Sequence, residues 1–96
     1  AKSLNDSRLV GNALGNLGRA QEQNNQLTQA QTSTESALLA AKSANAREQI
    51  YRWAAQLGRL QEKAGNRQAA IASYTQAVNT LRVLRLDLLG INSESQ

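Results

Sequence analysis

Two stretches of the chain say nearly the same thing forty positions apart: Leu17–Glu22 reads LGRAQE and Leu57–Glu62 reads LGRLQE. Ala1, Lys2, Ser3 and Asn5 recur as Ala41, Lys42, Ser43 and Asn45, and Ala30 and Ala37 recur as Ala70 and Ala77. An internal period of this size marks a chain built from stacked, repeated units, each touching only its neighbours. With 96 residues, two such units and a limited core are all that the chain can hold.

The units are predicted to be helical. The chain has no Pro and is rich in Ala, Gln, Leu and Arg, a composition that favours long helices. Apolar residues never alternate over a run, as a strand would require. Four stretches follow the three-and-four spacing of a helix that buries one stripe. The first spans Ser7 to Asn24, with Val10, Ala13, Leu14 and Leu17 facing inward. The second spans Gln26 to Ala44, with Leu27, Ala30, Ala37, Leu38 and Ala41. The third runs from Ala46 to Lys63, with Ile50, Trp53, Ala54, Leu57 and Leu60. The fourth runs from Arg67 to Leu89, with Ile71, Tyr74, Val78, Leu81, Leu84 and Leu88. Asn24-Asn25 and Gly65-Asn66 interrupt the pattern at matching points, where Gly or Asn accepts the left-handed conformation that ends a helix. Asn66 is placed to cap the last helix, and Asn45 followed by Glu48 resembles a capping box. Turns this short force consecutive helices to run antiparallel.

The expected organisation is therefore residues 1–6 as the tail of a preceding repeat, 7–45 and 46–85 as two repeats, and 86–96 as a helix end and C-terminal tail. The chain has no Met, which is expected of a chain that has been trimmed or is part of something longer. Leu81–Ile91 is apolar on nearly every side. Leu81, Leu84, Leu88 and Leu89 form a candidate end interface, covered by helix-end packing, by a further element or by a second copy.

Within the second unit the spacing resembles a tetratricopeptide repeat. Leu57 and Gly58 take the places of that family's leucine and glycine, Gly65 falls in the turn, and Ala70, Tyr74 and Ala77 match its small–aromatic–small trio. The first unit keeps Leu14, Leu17, Gly18, Ala30 and Ala37 but has Asn25 for the turn glycine and Thr34 for the aromatic. Both units lack the family's closing Pro, with Lys42 and Arg82 in its place, and six additional residues, Asn45–Ile50, lengthen the period. The stretch Ala70–Asn92 is further similar to repeats of cyanobacterial proteins in which a caspase-like CHAT domain follows; that domain would lie beyond Gln96. The resemblance implies an all-α fold: an α-α superhelix of tandem antiparallel helix hairpins with four main helices. Leu17, Gly18, Ala30, Ala37, Leu57, Gly58, Ala70, Tyr74 and Ala77 would pack the repeats.

The resemblance also implies a concave groove lined by the first helix of each unit. Its candidate partner-binding residues are Asn12, Arg19, Gln23, Arg52, Arg59 and Lys63, with Gly15, Glu22, Ala55 and Glu62 among them. Arg19 and Arg59 are repeat-equivalent, and an arginine fork suits a carboxylate, so an acidic peptide or a free C-terminus is one expected ligand. Each Arg can instead pair with a Glu one turn away, Glu22 or Glu62. The alternative function is self-association through open helical ends.

Enzymatic chemistry is not expected. The chain has neither His nor Cys to serve as base, thiolate or metal ligand, and its carboxylates are scattered. No cofactor is expected. The net charge of +4 permits nucleic-acid binding, but Tyr51, Trp53 and Tyr74 are the only aromatics, too few for a stacking platform. The longest apolar run, Ala37–Ala41, is too short to span a membrane. The Cys-free composition fits a reducing compartment, and the expected setting is the cytoplasm.

Glycine inside a helix costs ~1 kcal/mol relative to alanine and is kept where a side chain would block a neighbour. Gly58→Leu is therefore expected to loosen or unfold the second unit; an unchanged melting temperature for that variant would contradict close packing at this position.

Overall fold

Four helices form where the Pro-free segments allow: α1 (Leu4–Gln23), α2 (Leu27–Ser43), α3 (Arg47–Lys63) and α4 (Arg67–Leu88). They are seen in a computed structural model that describes residues 4–90, and no strand occurs among the described residues. The fold is all-α. The residues 1–3 assigned to a preceding repeat, and 91–96 of the C-terminal tail, lie outside the described residues. Leu4–Asp6 form the first turn of α1 and are not a separate tail, because α1 begins three residues ahead of the expected Ser7.

The turns are made alike. Asn25, Asn45 and Gly65 take left-handed φ values of 64°, 52° and 84°. Around each, two backbone bonds close the helix end. The Asn25 amide donates to the Glu22 carbonyl and the Gln26 amide to the Gln21 carbonyl, and the pattern repeats at Asn45–Ala46 and Gly65–Asn66. This is the Schellman arrangement, which satisfies the orphan carbonyls of a helix end. Asn serves twice because its short polar side chain tolerates this conformation. Asn66 Oδ1 accepts from the Ala69 amide at 3.4 Å, so the expected cap is present on α4. The capping box expected at Asn45 is not: Asn45 is consumed by the turn, and Ala46 stands at the N-cap without a side-chain bond.

Helices α1 and α2 form one antiparallel hairpin, α3 and α4 the next, and α2 packs on α3 between them. The core is thin and rich in alanine: Ala37, Leu38, Ala41, Trp53, Ala54, Leu57 and Ala77, with Leu14, Ile50 and Ala55 packed at its edge. Polar pairs repeat with the units. Ser33 Oγ donates to Gln21 Oε1 at 2.7 Å, and Ser73 Oγ donates to Gln61 Oε1 at 2.6 Å.

The stripe expected on α1 is buried only in part: Leu14 packs at the core edge and Val10 is half-buried. Leu17 is 48% exposed, so it does not pack the repeats. Ala13 is also exposed, and Ser7, Gly11, Gly15 and Gly18 face inward instead. The reason is that neighbouring side chains reach the α1 backbone itself. A Cβ on Gly15 would stand 2.2 Å from Cε2 and Cζ2 of Trp53, which is 1% exposed, and one on Gly18 would stand 2.5 Å from Thr34 Oγ1. On α4 the buried residues are Ala70, Ser73 and Ala77, while Ile71, Val78, Leu81 and Leu88 are exposed, contrary to the expected stripe. Among the described elements α4 packs on α3 alone, so only its narrow alanine face is covered. Tyr74 is also counted exposed, yet its ring lies over Gly58, where a Cβ would meet Cδ1 at 2.9 Å.

Gly15→Ala is expected to cost about 1–3 kcal/mol by overpacking. In combination with Trp53→Leu the two changes should be less than additive, with a coupling of at least about 0.5 kcal/mol. Urea denaturation of the single and double variants measures this; strict additivity would mean that the ring does not rest on Gly15.

Candidate binding groove

Helices α1 and α3 lie side by side because the glycine face of α1 lets α3 approach. The contact is fastened by buried amides. Gln56 Nε2 donates to the Gly15 carbonyl at 3.0 Å and to Thr34 Oγ1 at 2.9 Å, tying α3 to both helices of the first hairpin. Gln49 Nε2 donates to the Arg8 carbonyl at 3.3 Å.

Between the two helices lies a shallow hollow of about 330 Å³, lined by Arg19 from α1 and by Tyr51, Arg52, Trp53, Ala55, Gln56 and Arg59 from α3. The structure thus brings together three of the arginines that the sequence singles out. The Arg52 guanidinium sits 5.7 Å from the centre of the Trp53 ring, a cation–π distance. Asn12 and Gln23 are exposed but do not line the hollow, and neither does Lys63. Gly15 lies beneath Trp53 and offers no groove surface.

Arg59 does not pair with Glu62 one turn away. Its Nε and Nη2 donate to the two oxygens of Glu22, each at 2.9 Å, and Lys63 Nζ reaches the same carboxylate at 2.8 Å. The bridge crosses from one hairpin to the next. Local spacing offered Glu22 to Arg19, one turn away, but its partners lie in the following unit. Its side chain is only 9% exposed, whereas those of Arg59 and Lys63 are 47% and 49% exposed. The Arg59 fork, chiefly, lowers the Glu22 carboxyl from an ordinary 4.5 to about 2; burial opposes the shift, and Lys63 adds to it. The same contact raises Arg59. Glu62 accepts instead from the Tyr74 hydroxyl at 3.2 Å. Arg19 and Arg52 have no carboxylate partner among the described residues.

The residues expected at the end interface divide. Leu81, Leu84 and Leu88 line an apolar hollow of about 410 Å³ with Glu48, Tyr51, Arg52, Arg85 and Asp87. Leu89 lies on another part of the helix, beside Val78, Leu81 and Leu86. An ion pair at 2.8 Å between Arg47 and Asp87 joins α3 to the end of α4.

Among the described residues no group of His, Cys, Asp and Glu is arranged to hold a metal ion, and no helix is long and apolar enough to cross a membrane. Comparison with protein-family models, with curated proteins and with solved structures finds no match to this chain.

Because the folded pKa of Glu22 lies below its unfolded value, the stability that it contributes is fully present above pH 4.5 and is lost as the pH falls toward about 2. The expected size is on the order of 1–3 kcal/mol, reduced by salt because the two cations are half exposed. The stability difference between wild type and Glu22→Gln should therefore shrink across that window; a difference that does not change with pH would contradict the bridge.

Proposed function

We propose that the chain is a helical-repeat protein-binding module of the tetratricopeptide kind, and that it takes an acidic peptide segment in the groove between α1 and α3. The observation that carries this reading is the unequal state of the groove's cations. Arg59 and Lys63 are held by Glu22, while Arg19 and Arg52 stand in the walls or rim of the same region with no carboxylate partner among the described residues. A guanidinium presents parallel donors in a plane, which suits a carboxylate side chain or a chain terminus. The cations are positioned on helices and need little ordering on binding, which limits the entropic cost. Tyr51 supplies apolar surface beside them. The hollow has room for a side chain or two, so affinity would come from several such contacts along an extended peptide. The repeat resemblance supports the same class of function, since stacked hairpins offer a long surface and no reaction centre.

A fluorescein-labelled glutamate-rich peptide, followed by anisotropy at low salt, tests the proposal. Saturable binding is expected, weakened by about fivefold in Arg19→Ala and in Arg52→Ala, the effect of one exposed charge-assisted contact of about 1 kcal/mol. A lysine-rich peptide of the same length should not bind. Failure of the acidic peptide to bind, or equal binding of the basic one, would overturn the assignment.

A further inference from the structure

The two outer faces of the hairpin stack fit each other. Shifting α1 and α2 by forty positions gives α3 and α4, so the face that α3 offers to the first hairpin has a counterpart on α1, and the face that receives α3 has a counterpart on α3–α4. Among the described residues each counterpart is largely exposed, although Ala77 and Gly58, equivalent to Ala37 and Gly18, are covered within their own hairpin. Gln49 and Leu57 are buried in the junction, whereas the equivalent Leu9 and Leu17 on α1 are exposed, Leu9 at 67%. Leu38 and Ala41 are buried in the junction, whereas the equivalent Val78 and Leu81 on α4 are exposed, Val78 at 55%.

Size complementarity is kept, with the partners reversed. Inside, the large Trp53 occupies a seat made small by Gly15 and Ala41. Outside, the residue in the place of Trp53 is Ala13, and the seat is built from the larger Ala55 and Leu81. Small against large is conserved, so the summed side-chain volume suits a junction of similar spacing.

Charge complementarity is kept as well. In the junction Arg59 and Lys63 close on Glu22. The equivalents are Arg19 and Gln23 on α1, and Glu62 on α3. Arg19 has no carboxylate partner among the described residues, and Glu62 uses one oxygen for Tyr74, leaving Oε2 able to accept.

We propose that the chain stacks head to tail on copies of itself, α1 of one copy docking on the α3–α4 face of the next, with Arg19 and Gln23 of the incoming copy closing on Glu62. The contact uses two different faces, so it does not saturate at a dimer and grows as an open stack unless its rotation closes a ring.

Sedimentation velocity on the full chain, from roughly 10 μM to 1 mM, spans the affinities that such an interface would have. The expected result is an average mass that rises with concentration past the dimer. Arg19→Glu and Glu62→Arg should each give a monomer. Their equimolar mixture should associate again, since every junction in an alternating stack then pairs Glu with Arg. Val78→Asp, on an exposed position, should also give a monomer while keeping its helical circular dichroism. A wild type that stays monomeric throughout, a dimer that does not grow, or a mixture that stays monomeric would overturn the proposal. Arg19 serves both surfaces, but Glu62 and Val78 lie outside the groove. Glu62→Arg therefore abolishes stacking without removing acidic-peptide binding, and each reading can fail alone.

Discussion

The contact between the Trp53 ring and the backbone of α1 at Gly15 is what turns two helix hairpins into one stack. A three-residue turn between α2 and α3 places those helices side by side, but it does not bring α3 down on α1. That approach needs a helix face without side chains, and Gly11, Gly15 and Gly18 provide one. Burying a tryptophan removes about 150–250 Å² from water, worth roughly 4–6 kcal/mol as an upper bound by area. In a core otherwise made largely of alanine, that is the largest single apolar term. The same bare face exposes main-chain carbonyls, and Gln49 and Gln56 use two of them. The buried glutamines follow from the glycine face: their Nε2 groups donate to carbonyls that side chains would have covered.

The two hairpins share their polar pairs and differ in bulk. Ser33–Gln21 and Ser73–Gln61 are equivalent bonds, and Gly18 and Gly58 are equivalent gaps. What fills the gap is Thr34 in the first unit and Tyr74 in the second. Thr34 is fully buried and accepts from Gln56 of the next hairpin. Tyr74 lies across Gly58 with its hydroxyl on Glu62.

Helix limits and two of the turns were legible because they rest on local chemistry: a left-handed φ selects Asn or Gly, as at Asn25 and Gly65, whereas Asn45 reads as a cap and is the turn residue instead. The inward faces were legible only where side chains make the contact, as on α3. On α1 the spacing found Leu14, which packs at the core edge, but offered the exposed Ala13 and Leu17 and missed Gly11, Gly15 and Gly18, because an apolar pattern counts side chains and a glycine contact is made by main chain. On α4 the spacing pointed to Ile71, Val78, Leu81 and Leu88, which are exposed, while Ala70, Ser73 and Ala77 are the residues buried. The groove arginines could be named from the repeat, yet their state could not. Local helix spacing offered Glu62 to Arg59, and the actual partner, Glu22, stands in the preceding hairpin. Only the translation of one unit onto the next relates these residues.

The groove depends on two contacts that answer to different conditions. Beneath it is the Trp53–Gly15 contact, which is buried and involves no charged group. Its end is the Glu22 bridge, whose carboxylate is buried but whose cations are half in water and therefore screened. Lowering the pH or raising the salt would loosen the end and leave the Trp53–Gly15 contact in place, letting α3 swing on Trp53 and changing the distance between Arg19 and Arg59. A bound carboxylate acts on the same balance from the other side. If it takes Arg59 from Glu22, a carboxylate with little exposure loses its fork, and the cost of that loss is set against the gain from the ligand. A ligand that settles on Arg19 and Arg52 leaves the bridge intact. The geometry therefore favours occupation of the unpaired arginines and makes Arg59 a brace of the groove before it is a contact for anything bound there.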